Sequence, residues 1–145
     1  MKVIQKNPKD ASAIIIYFKK KILLVLRSNK KNIFYPNHYG LFGGAKENNE
    51  TYIKTANREL YEETNINISE KKINYFIDIN FSFPRSKIIK RKIYLYKIDN
   101  LSKFKKNFKL GEGVKCKFFS YNSIKKLNNI VPYDKLAIDI FYSIK

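Results

Sequence analysis

Apolar and polar positions alternate along this chain in runs short enough for strands, interrupted once by a run with helical spacing. Ser12 to Phe18 is rich in Ile, and Lys21 to Arg27 (KILLVLR) follows a Lys-rich turn, so the two predict a β-hairpin. Tyr39 to Phe42 predicts a short strand that delivers the chain to Gly43 and Gly44. Ile73 to Phe83 is a long strand-like run ended by Pro84, and Lys92 to Ile98 (KIYLYKI) alternates with period two. Ser82 to Arg91 would join them as a loop, Asn100 to Lys109 reads as a basic loop, and Val114 to Tyr121 reads as the last strand. Ser123 to Asn128 predicts a short helix. A terminal helix over Pro132 to Ile144 would carry an apolar stripe of Leu136, Ile140 and Ile144 beside Phe141.

The helical run is Thr51 to Thr64, which contains neither Gly nor Pro. Ile53, Ala56 (or Asn57) and Leu60 recur at helical spacing and would face a core. Glu59, Glu62 and Glu63 stand at i, i+3 and i+4, so their carboxylates share another face. Like charges that close repel unless a cation holds them. A hard divalent ion, Mg2+ or Mn2+, suits carboxylate oxygens and keeps water for a phosphate-bearing substrate. The plainer reading is a solvated acidic face. Against it, five of the 12 acidic residues (Glu47, Glu50, Glu59, Glu62, Glu63) fall between positions 47 and 63. The Gly43–Gly44 pair just ahead could also offer a bare backbone carbonyl to the same ion.

These residues resemble the signature of the Nudix hydrolases, G-x5-E-x7-R-E-U-x-E-E-x-G-U, where U is a bulky aliphatic residue. Gly44, Glu50, Arg58, Glu59, Leu60, Glu62, Glu63 and Ile66 fall in register. The departure is Asn65, where the family has glycine. That position follows the helix and calls for a left-handed backbone, which Asn adopts more readily than any residue except Gly.

The resemblance implies a mixed β-sheet in an α/β/α sandwich, the Nudix fold, as one domain over residues 1–145. It implies a metal-dependent pyrophosphohydrolase that cleaves a nucleoside diphosphate linked to a group X. Metal ligands would come from Gly43, Glu59, Glu62, Glu63 and Glu112. The general base would be Glu63 or Glu59, then Glu112, with Arg58 orienting the glutamates from behind and Glu50 supporting it. Glu112 is assigned because it lies between Gly111 and Gly113 just before the last strand, where many family members carry a glutamate. Arg27, Tyr35, Tyr39 and Arg85 are the candidate substrate contacts, each with an ordinary surface or packing role as its alternative. His38, the single histidine, cannot build a metal site alone.

Composition narrows the remainder. A chain of 145 residues suits a single core, to which 15% aromatic content gives bulk. The lone Cys116 excludes an intramolecular disulfide, and its setting between Val114 and Phe118 reads as packing. No apolar run approaches the roughly 20 residues of a membrane span, and Met1 to Asp10 lacks a signal-peptide core, so a cytoplasmic protein is expected.

The net charge of +18 permits anionic partners, yet the lysines are spread over almost every segment. Lys87, Lys90, Arg91 and Lys92 form the densest cluster, without the interleaved aromatics of a single-strand binder. The partner that the resemblance implies is a nucleotide-type small molecule, with nucleic acid possible but not favoured and no membrane, for a monomer or homodimer. The base and X are open: a nucleoside triphosphate, an oxidised nucleotide, a nucleotide sugar or a dinucleoside polyphosphate. An RNA 5′-pyrophosphohydrolase and a non-catalytic nucleotide sensor of the same fold are the alternatives.

Overall fold

The computed structural model describes residues 9–30 and 33–144. Among the described residues, seven strands form one mixed sheet: β1 (Ala11–Phe18), β2 (Lys21–Leu26), β3 (Tyr39–Gly40), β4 (Phe42–Ala45), β5 (Asn74–Phe81), β6 (Ile89–Lys97) and β7 (Lys115–Ser120). The helices are α1 (Tyr52–Thr64), α2 (Leu101–Asn107), α3 (Tyr121–Lys125) and α4 (Pro132–Ile144). The predicted hairpin is present, with Tyr17 paired to Ile22 across a turn at Lys19–Lys20. Strand β1 is the hub. It runs parallel to β6 along its length and antiparallel to β2 at one end and to β4 at the other.

Because successive side chains of a strand point to opposite faces, β1 feeds two cores. Ala13 and Ile15 join Ile93, Ile138 and Phe141 under α3 and α4. Ile14 and Ile16 join Leu23, Tyr94, Ala56, Leu60 and Phe104 under α1 and α2. Helices thus cover both faces of the sheet, the expected α/β/α arrangement. Truncating the fully buried Leu60 would cost about 2–5 kcal/mol.

Three expectations about local structure need correction. Asn100 to Lys109 is not a loop: Asn100 caps α2, and Leu101, Phe104 and Phe108 turn one apolar edge inward while the lysines stay outside. In α4 the buried positions are Asp134, Ala137, Ile138 and Phe141, whereas Leu136 and Ile144 are exposed. The true inward stripe passes through a charged residue, which the apolar pattern could not count. The predicted strand at Tyr39–Phe42 is two strands broken at Leu41, whose amide bonds to Asp134 Oδ2 at 2.9 Å. Elsewhere the element ends shift by a few residues; β6, for example, begins at Ile89 rather than Lys92. Cys116 is half-buried at the margin of the α1 core, and Val114 is exposed.

Candidate active site

Helix α1 starts where Thr51 caps it by accepting from Lys54 N–H, and Ser12 of β1 anchors its first turn by donating to the Tyr52 carbonyl at 2.7 Å. It ends at Asn65, which takes the left-handed conformation (φ 62°) and donates its N–H to the Tyr61 carbonyl. Asn at the family's glycine position therefore closes the helix in the geometry that glycine would adopt.

One guanidinium organises the near end of this helix. Arg58 makes five hydrogen bonds: two to Glu50 (2.6 and 3.0 Å), and one each to Glu59 Oε2 (2.9 Å), Glu62 Oε1 (3.2 Å) and the Ala45 carbonyl (3.1 Å). A guanidinium has five N–H donors, so none is left for a ligand. The hydrogen bond from Arg58 holds the Glu50 carboxyl down at about 2. Thr55 also donates to Glu50, at 2.9 Å. This end is fully paired.

The far end is not. Glu63 Oε1 accepts the Gly43 amide at 2.8 Å, which docks the helix onto β4, while Oε2 has no hydrogen-bond partner among the described residues. Burial first, then the charge of the neighbouring Glu59, pushes Glu63 up to about 8; Glu112 adds to the same effect. Burial also raises Glu59, against the pull of Arg58. A side chain on Gly44 would overlap the Glu59 carboxylate, so glycine there is the space that this carboxylate occupies.

Glu112 arrives from a loop zipped onto the end of α1. Lys109 N–H donates to the Thr64 carbonyl (2.9 Å) and Gly111 N–H to the Glu63 carbonyl (2.8 Å). Gly111 lies so close to the Glu62 carbonyl that a Cβ would collide with it. A cavity of about 420 Å3 opens here, lined among others by Arg27, Ser28, Lys30, Leu41, Glu63 and Glu112. Arg27 is held by its Nε on the Phe34 carbonyl at 2.7 Å and acts on the charge of Glu63.

The residues predicted from sequence thus divide. Glu59, Glu63, Glu112 and Arg27 come together. Glu62 is exposed and turned to Arg58, and the described residues contain no group of three His, Cys, Asp or Glu side chains able to hold a metal ion by themselves. Tyr39 packs edge-on against Phe119 at 5.0 Å and borders the α4 core rather than the cavity. Tyr35 meets His38 and Tyr133, and Arg85 is exposed in the β5–β6 turn with φ 65°. Sequence reasoning missed Ser28 and Lys30 in the cavity wall, and the buried pair Arg91–Asp134 beside it. The one available signal for that pair was an aspartate in the inward phase of α4.

The described residues include no helix long and apolar enough to cross a membrane. No curated protein matches the sequence. Solved structures do match the fold. A MutT NUDIX hydrolase from Burkholderia pseudomallei is 16% identical with a TM-score of 0.74, covering 92% of this chain and 98% of that one. The NUDIX domain of Shewanella oneidensis NrtR, complexed with ADP ribose, is 15% identical with a TM-score of 0.72, covering 97% and 90%. A bifunctional NMN adenylyltransferase/ADP ribose pyrophosphatase from Francisella tularensis, complexed with AMP and a Mn ion, is 22% identical with a TM-score of 0.67. The match covers 94% of this chain but spans only 42% of the Francisella protein. The NUDIX domain profile itself matches residues 6–139, nearly the whole sequence, and with the signature carried on α1 the chain belongs to the NUDIX domain family.

Proposed function

We propose that this chain is a metal-dependent hydrolase that cleaves the diphosphate linkage of a nucleoside diphosphate-X substrate. The products are a nucleoside monophosphate and phosphorylated X, or pyrophosphate when the substrate is a triphosphate. The observation that carries the reading is the acidic end of α1, where Glu59, Glu63 and Glu112 lie near enough that their charges act on one another and Glu63 makes no ion pair within 4 Å among the described residues. Such a donor set fits Mg2+ or Mn2+: its oxygens are hard, and its carboxyls are pushed up by burial and mutual repulsion, which a divalent ion relieves. Glu59, Glu63 and Glu112 would hold the ion, with the Gly43 carbonyl and Glu62 as the further expected helpers; water and phosphate oxygens would supply the rest. When bound, the metal neutralises the diphosphate oxygens and acidifies water.

The protein's own groups do the remainder. The Gly43 amide fixes Glu63 through Oε1 and leaves Oε2 to take a proton from the attacking water, the role assigned to Glu63 or Glu59. Arg58 holds Glu59 from its far oxygen, so the carboxylate cannot swing away. Arg27 offers positive charge to the phosphates from the cavity wall. The water oxygen bonds to phosphorus, the bridging P–O bond breaks, and the bridging oxygen leaves with the other phosphoryl group. The NUDIX proteins of similar fold complexed with ADP ribose and AMP agree with a nucleotide substrate.

The test is a hydrolysis panel with Mg2+ and Mn2+ over nucleoside triphosphates, an oxidised triphosphate, nucleotide sugars, ADP-ribose, dinucleoside polyphosphates and 5′-triphosphorylated RNA. Metal-dependent turnover that disappears in Glu63→Gln is the expected result. Nucleotide binding without turnover across the panel would move the assignment to a sensor.

A further inference from the structure

Beside the acidic site lies a second guanidinium whose setting differs from that of Arg27. Arg91, on the face of β6 that looks toward α4, donates Nε to Asp134 Oδ1 at 3.0 Å. Asp134 is 2% exposed, and its other oxygen is taken by the Leu41 amide, so it is locked in place. The Arg91 guanidinium lies 5.1 Å from the Tyr133 ring centroid, and Tyr133 is itself stacked on Phe81 at 4.4 Å. These contacts fix both the position and the plane of the group. Yet Nη1 and Nη2 make no hydrogen bond among the described residues, and neither is sealed from solvent. Only 11% of the side chain is open, and these two nitrogens are part of that opening.

The Arg91–Asp134 pair stands beside the candidate active site. Leu41, held by Asp134, lines the same cavity as Glu63 and Arg27. Glu63 is near enough that its charge acts on Arg91. A buried, immobilised guanidinium with two unused donors at the edge of a nucleotide cavity is organised to be completed by a ligand.

The charge decides which part of the ligand. Arg27 makes no ion pair within 4 Å among the described residues and so keeps its full charge for phosphate. Arg91 is neutralised by Asp134 but keeps its geometry as a pair of parallel donors. A neutral edge with two adjacent acceptors suits it better than a second anion. Among nucleobases, cytosine offers two adjacent acceptors at N3 and O2 and guanine at O6 and N7, and the guanine edge is the pairing for which arginine is suited. Adenine places an N6 donor beside N7, which would face the Arg91 donors. Uracil and thymine separate their carbonyl acceptors by an N–H. Resting on the nucleotide hydrolase reading above, we propose that Arg91, positioned by Asp134 and Tyr133, is the specificity-determining residue that reads the O6/N7 edge of a guanine-type base.

The test is binding of the monophosphate products, which needs no turnover and so stands apart from whether hydrolysis occurs. By calorimetry with Mg2+ present, the wild-type chain binds GMP about tenfold or more tighter than AMP. IMP, which keeps O6 and N7, binds like GMP, and 7-deaza-GMP, which lacks N7, binds about tenfold weaker. Arg91→Lys keeps a cation for Asp134 but loses the paired donors, and brings the GMP-to-AMP ratio close to one. Because the base analogues probe the unaltered protein, the answer does not depend on that variant folding. Equal binding of GMP and AMP, equal binding of GMP and 7-deaza-GMP, or an unchanged ratio in Arg91→Lys would overturn the proposal.

Discussion

The two ends of the signature helix α1 hold their carboxylates in opposite ways. Near its start, Glu50 meets a guanidinium bidentately and is held at about 2; near its finish, Glu63 is buried beside Glu59 and pushed up to about 8. Both are glutamates of one signature. The first is neutralised inside the protein and so can only orient. The second is buried among like charges, a setting that an incoming cation would relieve. Within a single motif, the contrast agrees with the proposed division between supporting and reacting residues.

Breaking the unpaired end should have the largest effect on rate. Glu63→Gln keeps the shape that accepts the Gly43 amide but removes the charge, and should lower kcat roughly 10²–10⁴-fold with the melting temperature little changed. Breaking the paired end should act on stability and rate together. Arg58→Ala leaves Glu50, Glu59 and Glu62 without their cation. It should cost about 1–3 kcal/mol in denaturant titrations, and about 10–100-fold in activity. Arg58→Lys should rescue little, because a single ammonium cannot replace the fork.

The pH dependence sharpens the same comparison. Glu50 has a folded value of about 2, below its ordinary 4.5, so its contribution is fully present above pH 4.5 and is lost as the pH falls through about 2. The stability gap between wild type and Glu50→Gln should therefore shrink on acid titration. A gap that stays constant down to about pH 2 would remove the pairing argument for this end. The smallest expected effect is at the helix terminus. Asn65→Gly should change stability by no more than about 0.5 kcal/mol, since both residues tolerate the left-handed backbone found there.

The signature was legible because its information is local. Glu50, Arg58, Glu59 and Glu63 sit at spacings that a helix and its preceding turn convert directly into proximity, and Asn65 could be read as a cap from its type alone. What the pattern of residues could not carry was long-range pairing. Asp134 counts as polar in any periodicity, so the inward face of α4 was assigned to Leu136 and Ile144; its burial depends on Arg91 and Leu41, far away in sequence. Tyr39 was read as a candidate substrate contact, but β3 turns it onto Phe119. Helix α2 was hidden by its lysines, although the Asn100 cap and the spacing of Leu101, Phe104 and Phe108 were present in the sequence.

The central claim is that the far end of α1, and not its paired start, receives a divalent ion. Titration of Mn2+ followed by electron paramagnetic resonance tests it most directly, on the wild-type chain and on Glu63→Gln. The account predicts saturable Mn2+ binding in the wild type and its loss, or a weakening of at least about tenfold, in the variant. Equal Mn2+ affinity in the two proteins would contradict it.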